Sequence, residues 1–174
     1  MRRIIAIVLT ALALTGLSAG AASAETVTCP AGWGSLTKSA PALSGAPVTN
    51  VRTGRHPCFD RVVVDVNGDP GGYTVEYVSQ VTADGSGQVL PTPGGARLQA
   101  TVNDPAYTPE GIPTFSRPVG ASVANVTGYP TLRSVVYAGS FEGYTSFGIG
   151  TRARLPFRVF TLPGRVVIDT AHKW

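Results

Sequence analysis

Arg61-Val-Val-Val-Asp65 and Arg165-Val-Val-Ile-Asp169 are near-copies of one short segment, the first in the early part of the chain and the second close to its last residue. Each is a β-branched run, and such side chains suit the pleated, half-buried surface of a sheet. Side chains alternate faces along a strand. The Arg, the middle Val and the Asp of each copy therefore share one face, and the two remaining apolar residues share the other. Arg and Asp of one copy lie ~13 Å apart at ~3.3 Å per residue, too far to pair within their own strand. Side by side and antiparallel, the copies set Arg61 opposite Asp169 and Asp65 opposite Arg165; in opposite sheets they do not meet. The first arrangement makes the repeated charges a pairing code for a sheet, where a catalytic site might otherwise be sought.

Working outward, the chain reads as strands and turns from Val48 onward. Strands are predicted at Val48–Thr53, Arg61–Asn67, Tyr73–Val81, Gly95–Asn103, Leu132–Ala138, Thr145–Thr151, Phe157–Thr161 and Arg165–Thr170, with turns at Gly54, 67–72 and 84–87. Short strands, 14 prolines and no amphipathic helical period predict an all-β fold, an antiparallel sandwich or barrel. The Pro-rich stretch 104–131 exceeds the usual connection length, so it is either functional or contains a short strand. Residues 25–54, rich in Gly, Pro, Ser and Ala, read as an arm laid over a domain spanning 55–174. Trp33, between two glycines, is the arm's expected anchor.

Residues 1–24 read as a secretory signal peptide: Arg2 and Arg3, an apolar run from Ile4 to Leu17, and Ala22-Ser23-Ala24 as a small-residue cleavage site. The apolar run is shorter than the ~20 residues of a spanning helix, and no second run of spanning length follows. The expected mature protein is secreted, extracellular or wall-associated, without stable membrane insertion. Loss of Arg2 and Arg3 lowers the formal charge from +4 to +2, a weak basis for nucleic-acid binding. The only cysteines, Cys29 and Cys58, are expected to form one disulfide in an exported chain, with a metal site as the alternative. That bond would tie the arm to the start of the first repeated strand.

Catalytic signals are sparse. The two histidines, His56 and His172, lie in no zinc-ligand spacing, and no Gly-x-Ser-x-Gly elbow or phosphate-binding glycine loop is present. Either histidine could act in a small hydrolase; the other reading is a strand-end histidine making a structural hydrogen bond. Asp60, Asp65, Glu76, Glu142 and Asp169 could supply an acid–base pair, but most sit beside arginine-bearing strands, where structural pairing is the better account. No catalytic residue, cofactor or metal ligand is assigned. The richest segment is Phe141–Phe160. Arg152 and Arg154 alternate with Ala153 and Leu155 and would leave one face of a strand, and Arg158 extends the stripe if Pro156 does not bend it away. With Tyr144 and Phe147 upstream, this row is a candidate site for an anionic wall polymer, since guanidinium forks suit carboxylate and phosphate oxygens. The other reading is a solvated strand face with the aromatics turned to the core.

Several blocks together resemble the AMIN-like domain proteins secreted by actinobacteria: Trp33–Lys38, Arg52–Val63, Gly72–Val78, Gly94–Leu98, Phe141–Gly143, Gly148–Phe160 and Ala171–Trp174. Gly148–Phe160 is the most specific of them. The resemblance implies a non-catalytic β-sandwich acting at the cell envelope and touching peptidoglycan, with no catalytic residues to carry over. No catalytic domain follows within the sequence, so wall binding or service to a separate partner is expected in place of targeting an enzyme in cis. The expected function is binding of peptidoglycan or another wall polymer, through its glycan or its peptide stem. The alternative is a protein–protein module, an adaptor or inhibitor of a secreted enzyme, working through 104–131.

Overall fold

The computed structural model describes residues 28–174; the signal peptide expected at 1–24 lies outside the described residues. The strands are β1 (Lys38–Ala40), β2 (Val48–Arg55), β3 (Phe59–Val66), β4 (Tyr73–Val78), β5 (Val81–Thr82), β6 (Val89–Leu90), β7 (Ala96–Val102), β8 (Leu132–Phe141), β9 (Tyr144–Thr151), β10 (Phe157–Leu162) and β11 (Arg165–Ala171). They form a five-stranded sheet in the order β1-β4-β7-β9-β8, a four-stranded sheet in the order β10-β11-β3-β2, and the hairpin β5–β6. The two larger sheets are antiparallel and pack as a sandwich, the all-β class read from the sequence.

The repeated segments lie side by side as β3 and β11, in the register that sets Arg61 opposite Asp169 and Asp65 opposite Arg165. Their inward residues Val62, Val64, Val166 and Ile168 meet Leu98, Ala100, Phe147 and Ile149 of the other sheet, all at most 1% exposed. Full burial of a side chain of this kind contributes ~1.5–3 kcal/mol, so this apolar layer supplies the main cohesive term.

Of the segment read as an arm, β2 is a full member of the four-stranded sheet, and its Val48 and Val51 enter the core. The boundary at 54/55 therefore falls at the end of a sheet strand, and the arm proper stops before Val48. Within it, β1 adds to the edge of the other sheet through β4. The disulfide is Cys29–Cys58, joining the arm to the start of β3. Closing a loop of this length stabilises by ~3–4 kcal/mol in the chain-entropy model.

The stretch 104–131 closes one open side of the sandwich. Val48 donates to Pro105 O (2.7 Å) and Thr114 Oγ1 to Val48 O (2.7 Å) at the β2 edge, while Val123 donates to Val135 O (2.9 Å) at the β8 edge. Phe115 and Val126 drop into the core beneath it. The short strand considered for this stretch is reduced to two isolated bridges, Tyr107–Pro113 and Ser122–Val136. On the opposite side, Tyr73 Oη donates to Val159 O and Tyr77 Oη to Leu155 O, both at 2.9 Å, and burial pushes both phenols up from their usual pKa.

The strand expected at Tyr73–Val81 breaks at Ser79-Gln80 into β4 and β5. The β5–β6 hairpin then folds over the outer face of β9. A side chain at Gly150 would fall on the backbone oxygen of Pro93, and one at Gly148 would lie 2.8 Å from the side chains of both Val81 and Val136, so glycine at these two positions makes room for a close backbone and for packed valines.

Candidate binding site

The chain leaves β9 at Thr151 and crosses to the other sheet through residues 152–156 before β10 begins. Arg152 and Arg154 therefore lie on a crossover and not on a strand, which corrects the expected alternation. Pro156, which lacks an N–H, sits where a continued ladder would need one. Only Arg158 belongs to a strand.

The three arginines nevertheless gather at one end of the sandwich, each held by a different partner. Arg152 donates to His172 O. Arg154 donates to Ser35 Oγ (3.2 Å) and Ser35 O (3.1 Å), and its guanidinium lies 5.0 Å from the Tyr77 ring centre. Arg158 donates to Asp169 Oδ2 (2.8 Å) and lies 4.5 Å from the Trp33 ring centre and 5.1 Å from that of Phe160. Trp33 also meets Phe59 (5.6 Å between centres), which makes it the arm's anchor. Trp174 joins the same end by donating Nε1–H to Arg154 O (3.2 Å).

Asp169 is the electrostatic centre of this face. Its side chain is fully buried although it points outward from the sheet, because Arg61 grips both oxygens (2.6 and 2.9 Å) and Arg158 adds a third bond. That hydrogen bonding raises the already high pKa of Arg61. Two cations share one carboxylate, leaving a surplus positive charge stacked among Trp33, Phe59 and Phe160. Asp65 does not pair with Arg165 despite facing it; Arg52 of β2 takes both its oxygens (2.8 and 2.9 Å), and Arg165 turns to Pro163 O. The repeated charges are thus half used as the sequence suggested.

Tyr144 and Phe147 do not join the arginines. Phe147 is 1% exposed and packs edge-on against Phe115 and near Tyr137, so it has no surface to offer a polymer. Tyr144 is exposed but opens β9, at the other end of that strand from the crossover and ~23 Å away at ~3.3 Å per residue.

His172 Nε2 lies 3.0 Å from Asp60 Oδ1, and the other oxygen of that fully buried carboxylate accepts from Thr131 N (2.6 Å) and Leu132 N (2.9 Å). The group ties the end of β11 to the start of β8, and the Thr131 hydroxyl beside it donates to Ala171 O (3.0 Å). His56 stacks on Phe59 at 4.5 Å. Among the described residues no group of three or more His, Cys, Asp or Glu could hold a metal ion.

A model of the AMIN-like domain family matches residues 46–172. The chain belongs to that family. AMIN-like domains are generally non-catalytic modules. No curated protein and no solved structure matches the chain. The AMIN-like segment supplies Arg152, Arg154 and Arg158, whereas Trp33, Lys173 and Trp174 come from the flanks on either side of it. The disulfide, a bond characteristic of oxidising compartments, likewise joins a flanking residue to the AMIN-like segment. Sequence reasoning gave no role to Lys173, Trp174, Phe59 or Phe160. The signal within reach was the pairing register itself: it puts the start of β3 beside the end of β11, and so brings Phe59 to the chain's last residues.

Proposed function

We propose that this AMIN-like protein is a secreted, non-catalytic envelope module that binds an anionic wall polymer, peptidoglycan or another, through the end carrying Arg152, Arg154, Arg158 and Lys173. The observation that supports this reading is the Asp169 cluster. One carboxylate under two guanidinium groups leaves positive charge in excess, and aromatic rings hold the guanidiniums in place at low entropic cost. Exposed guanidinium edges in such a setting suit carboxylate or phosphate oxygens.

The test is retention on purified peptidoglycan sacculi. Binding is expected at low salt and release at 1 M, where the screening length is ~3 Å. The double variant Arg152→Ala/Arg154→Ala is expected to lose most retention while its unfolding midpoint stays close to the parent's. Failure to bind at any salt, or binding indifferent to both salt and variant, would end the proposal.

A second reading has its own observation. Ile112 and Val119 on the 104–131 strap are 61% and 50% exposed, apolar groups suited to a protein partner such as a secreted enzyme. Capture of such a partner that survives the arginine changes and is lost on replacing 110–119 would favour it.

A further inference from the structure

Both tryptophans of the chain line one pocket. Its volume is about 380 Å³, within the ~300–1,000 Å³ of small-molecule sites. Pro30 and Trp33 of the arm form part of the lining, Pro156, Lys173 and Trp174 another part, and both cysteines of the Cys29–Cys58 bond border it. Each ring is positioned by contacts outside the pocket. Trp33 rests on Arg158 and Phe59. Trp174 is fixed through its indole N–H on Arg154 O and yet remains 75% exposed. An indole whose polar atom is satisfied and whose face stands in water is a stacking platform whose orientation is already set. Lys173 carries the one charged side chain of the lining, and the other lining side chains are apolar.

These features define the ligand by chemistry. A bare anion would find a single exposed ammonium and otherwise apolar walls. A wholly apolar ligand would gain from the rings but would have to desolvate Lys173 without compensation. The lining suits a flat amphipathic group with a C–H face for the indole, hydroxyls left in water at the rim, and one negative charge for the ammonium. We infer that the pocket is a saccharide subsite taking a pyranose ring that bears a carboxylate. The inference rests on the polymer-binding reading and names the chemistry that the flanking segments add to the shared sandwich.

The sequence supplies the reporter, since all tryptophan emission comes from the pocket. The protein is titrated with D-glucuronate, with D-glucose, and with a proline-rich peptide as the rival occupant of an aromatic groove. Glucuronate is expected to give a saturable emission change and to bind about fivefold tighter than glucose, near the ceiling for an exposed ion pair. Lys173→Gln should bring the two sugars level without altering glucose. Trp174→Ala, followed through the remaining Trp33, should weaken both, and Trp174→Phe should restore them. Equal affinities in the parent, silence with both sugars, or saturation by the peptide alone would overturn the inference. Sugar silence with salt-sensitive sacculus retention would sink the pocket and leave polymer binding standing; sugar binding without retention would do the reverse.

Discussion

Asp65 and Asp169 occupy the same position of the same short sequence, on adjacent strands, facing the same side of one sheet, and each is gripped through both oxygens by an arginine. Their surroundings differ. The Asp65 side chain is 23% exposed and its Arg52 partner 49%, whereas Asp169 is 0% exposed. The difference comes from what covers them. Asp169 lies beside β10, which contributes Arg158 and Phe160, and beneath the arm, which contributes Trp33. Asp65 lies toward β2, an edge strand that brings Arg52 and Asn50 but no aromatic cover. Repeated charges can fix a register; burial by other segments decides what each pair is worth.

The sharpest way to break the comparison is to remove each carboxylate. Asp169→Asn leaves two guanidinium groups together without their counter-charge and is expected to cost ~3–5 kcal/mol, read from urea unfolding. A loss under 1 kcal/mol would put Asp169 in the same class as Asp65. If Trp33 provides the seal, the cost of Asp169→Asn should shrink by ~1–2 kcal/mol in a Trp33→Ala background, the size of coupling expected between groups in contact. Additive effects would assign the seal to Phe160 and Arg158 alone.

The same contrast separates what was legible in the sequence from what was not. Pairing of β3 with β11 could be read because alternation and opposite charge act locally and agree. The burial of Asp169 could not, since it depends on Trp33 and Arg158, which reach it through the arm and the crossover. The arginines depart from the expected stripe because alternation at Arg152–Arg154 mimics a strand, while the chain there is passing between sheets ahead of Pro156. Phe147 follows the other reading of its segment, aromatics turned to the core, and the signal for it is local: in Phe147-Gly148-Ile149-Gly150 the large residues alternate with glycines. A strand with glycine at every second position has other segments packed close against one face and its bulk in the core. β1 carried no signal, as Lys38-Ser39-Ala40 has neither strand propensity nor apolar alternation.

Asp84, in the turn of the β5–β6 hairpin, extends the comparison to a carboxylate without a cation. Its Oδ2 is buried with no hydrogen-bond partner, and burial raises its pKa from the usual carboxyl value. Ser146, whose hydroxyl also shares a hydrogen bond with Thr101 (2.8 Å), offsets part of this. The native state therefore holds this proton more tightly than the unfolded chain does. Stability is lost as pH rises through the ordinary value near ~3.9 and on to the raised native one, and it stays lost above. Asp84→Asn should stabilise by ~1 kcal/mol at pH 7, with the gain fading as pH falls below that window. The burial-raised carboxyl of Asp104 is present in both proteins and cancels in the difference. A gain independent of pH would show that the charge is not what the turn disfavours.

Asp65→Asn is expected to have the smallest effect, ~0.2–1 kcal/mol, although the Arg52 fork at 2.8 and 2.9 Å is as well formed as the one on Asp169. Geometry alone predicts equal costs for the two; solvent access predicts a gap of several-fold. Salt separates the accounts further, because screening acts on charges that water reaches. At 1 M salt, with a screening length of ~3 Å, the Asp65→Asn cost should nearly vanish while the Asp169→Asn cost persists. Equal salt sensitivity at both positions would mean that water reaches Asp169 as readily as Asp65, and that the arm does not seal the pair.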